Sequence, residues 1–88
     1  MQWPQGWKVS ADGKRVGIDV KTEDFLDALT LFDDIGQIAE ELEHHPDLHL
    51  TSYNKVRIES YSHDVGKLTE RDEALAKAIS KLLKERGL

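Results

Sequence analysis

Arg15-Val16-Gly17-Ile18-Asp19-Val20-Lys21-Thr22-Glu23-Asp24-Phe25 contains the change of period that decides the fold. Up to Lys21 the chain alternates: Val16, Ile18 and Val20 on one side, Arg15, Gly17, Asp19 and Lys21 on the other. That is a strand with one buried face. From Phe25 the apolar residues recur at steps of three and four: Phe25, Ala28 and Leu29, Phe32, Ile35 and Gly36, Ala39, Leu42. A period of 3.6 replaces a period of two, so a helix with its apolar stripe turned to the core follows the strand. Thr22 reads as its N-cap, with Glu23 and Asp24 in the first turn, where the helix dipole favours acids. Pro46 disfavours helical backbone at the residue before it, so the helix should stop near His45, with His44 and His45 on its last turn. The dipole at that end favours a protonated imidazole.

Upstream, Trp7, Val9 and Ala11 alternate with Lys8 and Ser10, and Asp12-Gly13 follows. That dipeptide predicts a two-residue turn with positive φ at both positions, joining antiparallel strands at about 7–11 and 15–21. Residues 1–6, with Pro4 and Gly6, read as irregular. Downstream, Leu48, Leu50 and Ser52 alternate with His49, Thr51 and Tyr53, a third strand. Asn54-Lys55 is the expected turn. Val56, Ile58 and Ser60 then alternate with Arg57, Glu59, Tyr61 and His63, a fourth strand that puts His63 opposite Val56 and Ile58. Gly66-Lys67-Leu68 closes it. Thr69-Glu70-Arg71-Asp72 reads as a capping box with Asp at the third helical position. Leu75, Ala78, Ile79 and Leu82 mark a helix to about Arg86, with Gly87 as terminator. The expected fold is α+β in the order β-β-α-β-β-α, a four-stranded antiparallel sheet with its helices packed on one face. The other sheet face stays open to solvent, a ligand or a second subunit.

At 88 residues the chain has room for one domain, residues 1–88. A chain of this size buries only about 60–65% of its unfolded surface, so a partner subunit would help it. There is no cysteine, hence no disulfide and no thiolate metal site. No apolar run approaches the roughly 20 residues that span a bilayer. Met1-Gln2-Trp3-Pro4 has no signal-peptide character, which makes the cytoplasm the expected location. The net charge is −5, from 12 basic and 17 acidic residues. Eight acids and no Lys or Arg lie between Thr22 and Glu43, while Lys77, Lys81, Lys84 and Arg86 gather near the C-terminus. That distribution argues against direct binding of nucleic acid or an anionic membrane.

All four histidines, His44, His45, His49 and His63, fall between Glu43 and Asp64, and no other side chain titrates near neutral pH. Each has a plain structural reading. His44 and His45 could decorate a helix end, His63 could be an exposed strand residue, and His49 reads as rim. Asp72 could serve only as a helix cap, and Tyr53-Asn54-Lys55 only as a turn. A three-histidine metal site is disfavoured, because adjacent residues on a helix point about 100° apart. No metal is expected.

The ordered set Glu43-His44-His45-Pro46, Tyr53-Asn54-Lys55-Val56, Ser62-His63-Asp64 and Leu68-Thr69-Glu70-Arg71-Asp72 resembles the pterin-4a-carbinolamine dehydratase family. Animal members of that family double as the dimerization cofactor of a hepatocyte nuclear factor. The resemblance runs over nearly the whole chain from Trp7. It implies loss of water from a 4a-hydroxytetrahydropterin in pterin recycling, with pterin as substrate and no separate cofactor. It also implies His44, His45 and His63 as the catalytic set, His44 and His63 as the acid/base pair and His45 as a pterin-positioning group. Glu43, Pro46, Asp47 and Asp72 would support them, Asp72 by orienting a histidine. A homodimer or homotetramer is implied, along with the alternative of a non-catalytic oligomeric protein-binding or regulatory cofactor on the same scaffold. The chain departs from the family pattern in three ways. It lacks most of the N-terminal helix, has Leu48 where an aromatic is usual, and is one residue longer between Pro46 and Tyr53.

Overall fold

The computed structural model describes residues 1–88. The elements are β1 (Lys8–Val9), β2 (Val16–Lys21), α1 (Phe25–Leu42), β3 (Asp47–Thr51), β4 (Lys55–Ser60) and α2 (Glu70–Glu85). The four strands form one antiparallel sheet in the order β1-β2-β4-β3. The expected element order and fold class are met.

Alternation sets which sheet face is buried. Val16 and Ile18 of β2 and Val56 and Ile58 of β4 point inward. Val16 pairs across to Ser60, Ile18 to Ile58 and Val20 to Val56. Against them pack Ala28, Leu31 and Ile35 of α1 and Leu75, Ala76, Ile79 and Leu83 of α2, one contiguous core. Trp7 joins this core, and its indole Nε1–H donates to Ser80 Oγ at 2.6 Å, holding the first strand against α2.

The face of α1 is shifted from the expected one. Its buried residues are Ala28, Leu31, Ile35 and Ala39, whereas Phe25 and Leu29 are 49% and 39% exposed. Phe32 is only half-buried. Leu31, rather than the phenylalanines, faces the sheet, so the Phe25–Leu29–Phe32 row forms an apolar flank beside the core.

Both ends of α1 also differ from expectation. Its N-cap is Asp24, whose side chain accepts from the Asp27 N–H at 2.8 Å. Thr22 instead is buried and bound to the β3–β4 hairpin. Its N–H donates to the Asn54 carbonyl at 2.9 Å, and Asn54 Nδ2 donates back to the Thr22 carbonyl at 3.1 Å. At the other end the helix stops at Leu42. Glu43 takes a left-handed conformation (φ 53°), its N–H donates to Glu40 O, and the His44 N–H donates to Ala39 O. This is a Schellman ending with glutamate where glycine is usual. His44 and His45 therefore lie beyond the last turn and not on it.

The turns show similar shifts. Around Asp12-Gly13 only Gly13 has positive φ (73°). The Gly13 N–H donates to Ser10 O and the Ser10 N–H to Arg15 O, closing a longer loop than the two-residue turn expected. The β3–β4 loop is Ser52–Asn54, with left-handed Ser52 and Tyr53, because Thr51 already pairs with Lys55. β4 ends at Ser60, so His63 sits in the following turn rather than on the strand. The capping box of α2 is present: Thr69 Oγ1 accepts from the Arg71 N–H, and Asp72 accepts from the Thr69 N–H at 2.9 Å.

Candidate active site

Three chain segments meet where α1 ends, β4 ends and α2 begins. Between them lies a hollow of about 290 Å³ lined by Glu43, His44, His45, Tyr61, His63, Asp64 and Arg71. Each segment supplies its side chains for a local reason. The left-handed turn at Glu43 ends α1, and the His44 ring just beyond it meets Asp72 at the start of α2. Past Ser60 the alternation continues, so Ser62 stays buried while Tyr61 and His63 face the hollow. The capping box fixes the first turn of α2, placing Asp72 below the site and Arg71 at its rim.

His44 is 8% exposed, and its Nε2 lies 2.7 Å from Asp72 Oδ1. Asp72 is fully buried and accepts at both oxygens. Oδ1 takes His44 and the Ser60 hydroxyl (2.5 Å); Oδ2 takes the Ser62 hydroxyl (2.6 Å) and the Thr69 N–H (2.9 Å). Burial pushes this carboxyl up. The hydrogen bonds from Ser60, Ser62, His44 and the Thr69 backbone outweigh it and hold the group below the ordinary carboxylate range. An ionised carboxylate only accepts, so His44 donates through Nε2–H. Its neutral form then carries the lone pair on Nδ1.

The other two histidines are more open. His45 donates from Nε2 to Glu40 Oε2 at 2.5 Å, with both side chains mostly exposed. His63 packs edge-on against Tyr61, ring centres 4.4 Å apart and planes at 70°. Arg15 lies over the Tyr61 ring at 5.3 Å and pairs with Asp47 at 2.8 Å. Arg71 pairs with Asp64 at 2.6 Å, and its hydrogen bond holds the exposed Asp64 carboxyl below its usual range. No group of three His, Asp or Glu side chains is arranged to hold a metal ion.

Of the residues singled out in the sequence, Glu43, His44, His45 and His63 come together around one hollow, with Asp72 beneath His44. Asp72 is at once the capping-box residue of α2 and the hydrogen-bond partner of His44. Pro46 and Asp47 do not line the hollow; Asp47 reaches it only through Arg15 and Tyr61. His49 lies elsewhere, bound to Glu59 at 3.1 Å and facing a larger hollow of about 630 Å³ at the Lys21–Lys55 end of the sheet. Sequence reasoning missed Ser60, Ser62, Tyr61 and Arg71. A signal existed for the serines: the inward-facing row Val56, Ile58, Ser60, Ser62 turns from aliphatic to hydroxyl partway along.

No helix is long and apolar enough to cross a membrane. The family model "Pterin 4 alpha carbinolamine dehydratase" matches residues 1–82. A Saccharolobus islandicus protein named "Putative pterin-4-alpha-carbinolamine dehydratase" is 39% identical over 79 residues, covering 90% of this chain and 79% of the relative. The Arabidopsis thaliana protein "Pterin-4-alpha-carbinolamine dehydratase 2, mitochondrial" is 37% identical over 84 residues, 93% of this chain and 45% of the relative. Among solved structures, a Brucella melitensis protein described as a transcriptional coactivator/pterin dehydratase superposes with a TM-score of 0.79. It has 26% identity, over 88% of this chain and 81% of that one. A pterin dehydratase-like RuBisCO assembly factor of the alpha-carboxysome shares the fold, with a TM-score of 0.72, 15% identity and 89% of each chain covered.

Proposed function

The chain belongs to the pterin 4 alpha carbinolamine dehydratase family, and on that premise we propose that it removes water from a 4a-hydroxytetrahydropterin, as one dehydratase domain over residues 1–88. In this reaction the C4a–O bond breaks as the leaving hydroxyl is protonated. A ring nitrogen loses its proton, and a C=N bond forms between them. The products are a dihydropterin and water.

The observation that carries the reading is the convergence of three histidines on one hollow, with His44 anchored through Nε2 to buried Asp72. Asp72 leaves Nδ1 of His44 as the basic nitrogen, which suits it to take the proton from the pterin ring. His63 is exposed, so it can exchange protons with solvent and deliver one to the leaving hydroxyl. A positioned group of this kind contributes on the order of 10²–10⁴-fold. His45, at the exposed rim of the hollow beside Glu40, is the pterin-positioning group. Glu43 forms the rim next to His44, and Pro46 constrains the backbone after His45. Asp47 holds Arg15 over Tyr61, the wall on which His63 rests. Elimination by these groups needs no metal or redox cofactor, and pterin is the substrate.

The physiological role proposed is recycling of the oxidised pterin left by hydroxylases, in the cytoplasm. The assembly proposed is a homodimer or homotetramer. Two features support assembly: the apolar flank Phe25, Leu29 and Phe32 of α1, and the free hydrogen-bonding edge of β3. That same flank favours a second reading, a non-catalytic oligomeric module that binds or regulates a protein partner. A carbinolamine dehydration assay separates the two, because only the first reading requires turnover above the spontaneous rate.

A further inference from the structure

Resting on the dehydratase reading, we infer that Ser60 and Ser62 are positioning residues that fix the Asp72 carboxylate and thereby set the tautomer and the working pH range of His44. The two serines occupy core positions. Ser60 and Ser62 are 1% exposed each, in the inward-facing row that begins with Val56 and Ile58. Aliphatic side chains there would extend the core. Instead each hydroxyl is buried against one carboxylate, Ser60 on Oδ1 at 2.5 Å and Ser62 on Oδ2 at 2.6 Å. Ser62 also meets Thr69 Oγ1 at 2.9 Å, which ties the end of β4 to the cap of α2.

The chemistry follows from how a carboxylate shares its charge. His44 and Ser60 compete for the same oxygen, Oδ1. A hydroxyl donating to Oδ1 draws charge from it and weakens its pull on the imidazolium of His44. It also fills the lone pair that would let the carboxylate rotate away. Removing that hydroxyl leaves Oδ1 to His44 alone, which favours the protonated ring. Removing the Ser62 hydroxyl leaves Oδ2 to Thr69 alone and loosens the same orientation. If the serines only satisfied a helix-capping carboxylate, the state of His44 would not depend on them. The remaining titratable and charged groups around His44 are Glu43, His45, Tyr61, His63, Asp64 and Arg71 at the hollow. None of these donates a hydrogen bond to the Asp72 carboxylate, whose donors besides His44 are Ser60, Ser62 and Thr69.

The test is an imidazole titration of the full chain by ¹⁵N-resolved NMR, in wild type, Ser60→Ala, Ser62→Ala and Ser62→Thr. Wild-type neutral His44 is expected as the Nε2–H tautomer. Ser60→Ala should raise its titration midpoint by about half a unit to one unit, a fraction of what a charge-assisted hydrogen bond is worth. Ser62→Ala should move the midpoint less or mix the tautomers, and Ser62→Thr should restore the wild-type spectrum. The acid limb of kcat/KM should shift with the His44 midpoint. An unmoved midpoint and tautomer in both alanine variants, with the fold intact by amide spectrum, would overturn the inference. Should Ser60→Ala fail to fold, the Ser62 pair decides alone. The titration is read without turnover, so absence of dehydration in wild type would count against the proposed reaction and not against the role of the serines.

Discussion

His44 Nε2 and Asp72 Oδ1 lie 2.7 Å apart across 28 residues of sequence, one just beyond the cap of α1 and the other in the first turn of α2. This contact joins the cap of one helix to the exit of the other, so the same carboxylate holds the fold and orients the imidazole. Replacing it should therefore affect both. Asp72→Asn keeps the shape but removes the charge and one acceptor facing Ser62 and Thr69. A loss of stability of about 2–4 kcal/mol in urea unfolding is expected, since hydrogen bonds to buried charged groups are among the stronger ones. A fall in kcat/KM of at least about tenfold should accompany it in protein that remains folded. Wild-type activity in Asp72→Asn would leave His44 without need of its partner.

Acid should weaken the fold through the same residue. The folded-state pKa of Asp72 lies below the value of about 3.9 of an unfolded chain. The unfolded state thus binds more protons between the two values, and stability rises with pH there. The contribution is complete above about pH 5 and is lost as pH falls through the folded-state pKa. Thermal unfolding followed from pH 6 down to about pH 2.5 should fall more steeply for wild type than for Asp72→Asn. Parallel curves would show that Asp72 carries no such linkage.

Glu43 holds a left-handed conformation that costs a non-glycine residue about 1–2 kcal/mol. Part of that returns as flexibility of glycine in the unfolded chain. Glu43→Gly should therefore stabilise the protein by up to about 1 kcal/mol in urea unfolding. Because Glu43 also lines the hollow, kcat/KM should fall in the same variant, a strained residue retained at a working site. A destabilised Glu43→Gly would contradict the Schellman reading of the helix end.

Sedimentation tests assembly. The wild type should run as a dimer or tetramer at micromolar concentration, and Leu29→Asp on the apolar flank should shift it towards monomer. A monomeric wild type would remove the proposed oligomer.

The element order was legible because period and punctuation agreed. Val16–Val20 alternates, Pro46 follows a helix, and Thr69 with Asp72 forms a box that the structure contains. The finer features depended on contacts no local pattern encodes. Pro46 limits where α1 can run, yet the helix ends earlier, at a left-handed glutamate that residue type does not advertise. Thr22 looked like a cap until Asn54, far along the chain, took both its backbone groups. Phe25 and Leu29 share a helical period with the core but sit one flank away from it, and only packing against the sheet selects Leu31 over them. The histidines stood out by composition, and Ser60 and Ser62 by breaking an aliphatic row, but their shared partner Asp72 is set only once the end of β4 meets α2.

The central claim is that His44 and His63 work as a base and acid on a pterin carbinolamine, and a coupled assay with enzymatically generated 4a-carbinolamine tests it most directly. Wild type should dehydrate the substrate faster than the spontaneous reaction, and His44→Ala and His63→Ala should each lower kcat/KM by at least about tenfold. A wild-type protein that adds nothing to the spontaneous rate, or folded histidine variants that retain full activity, would contradict the account.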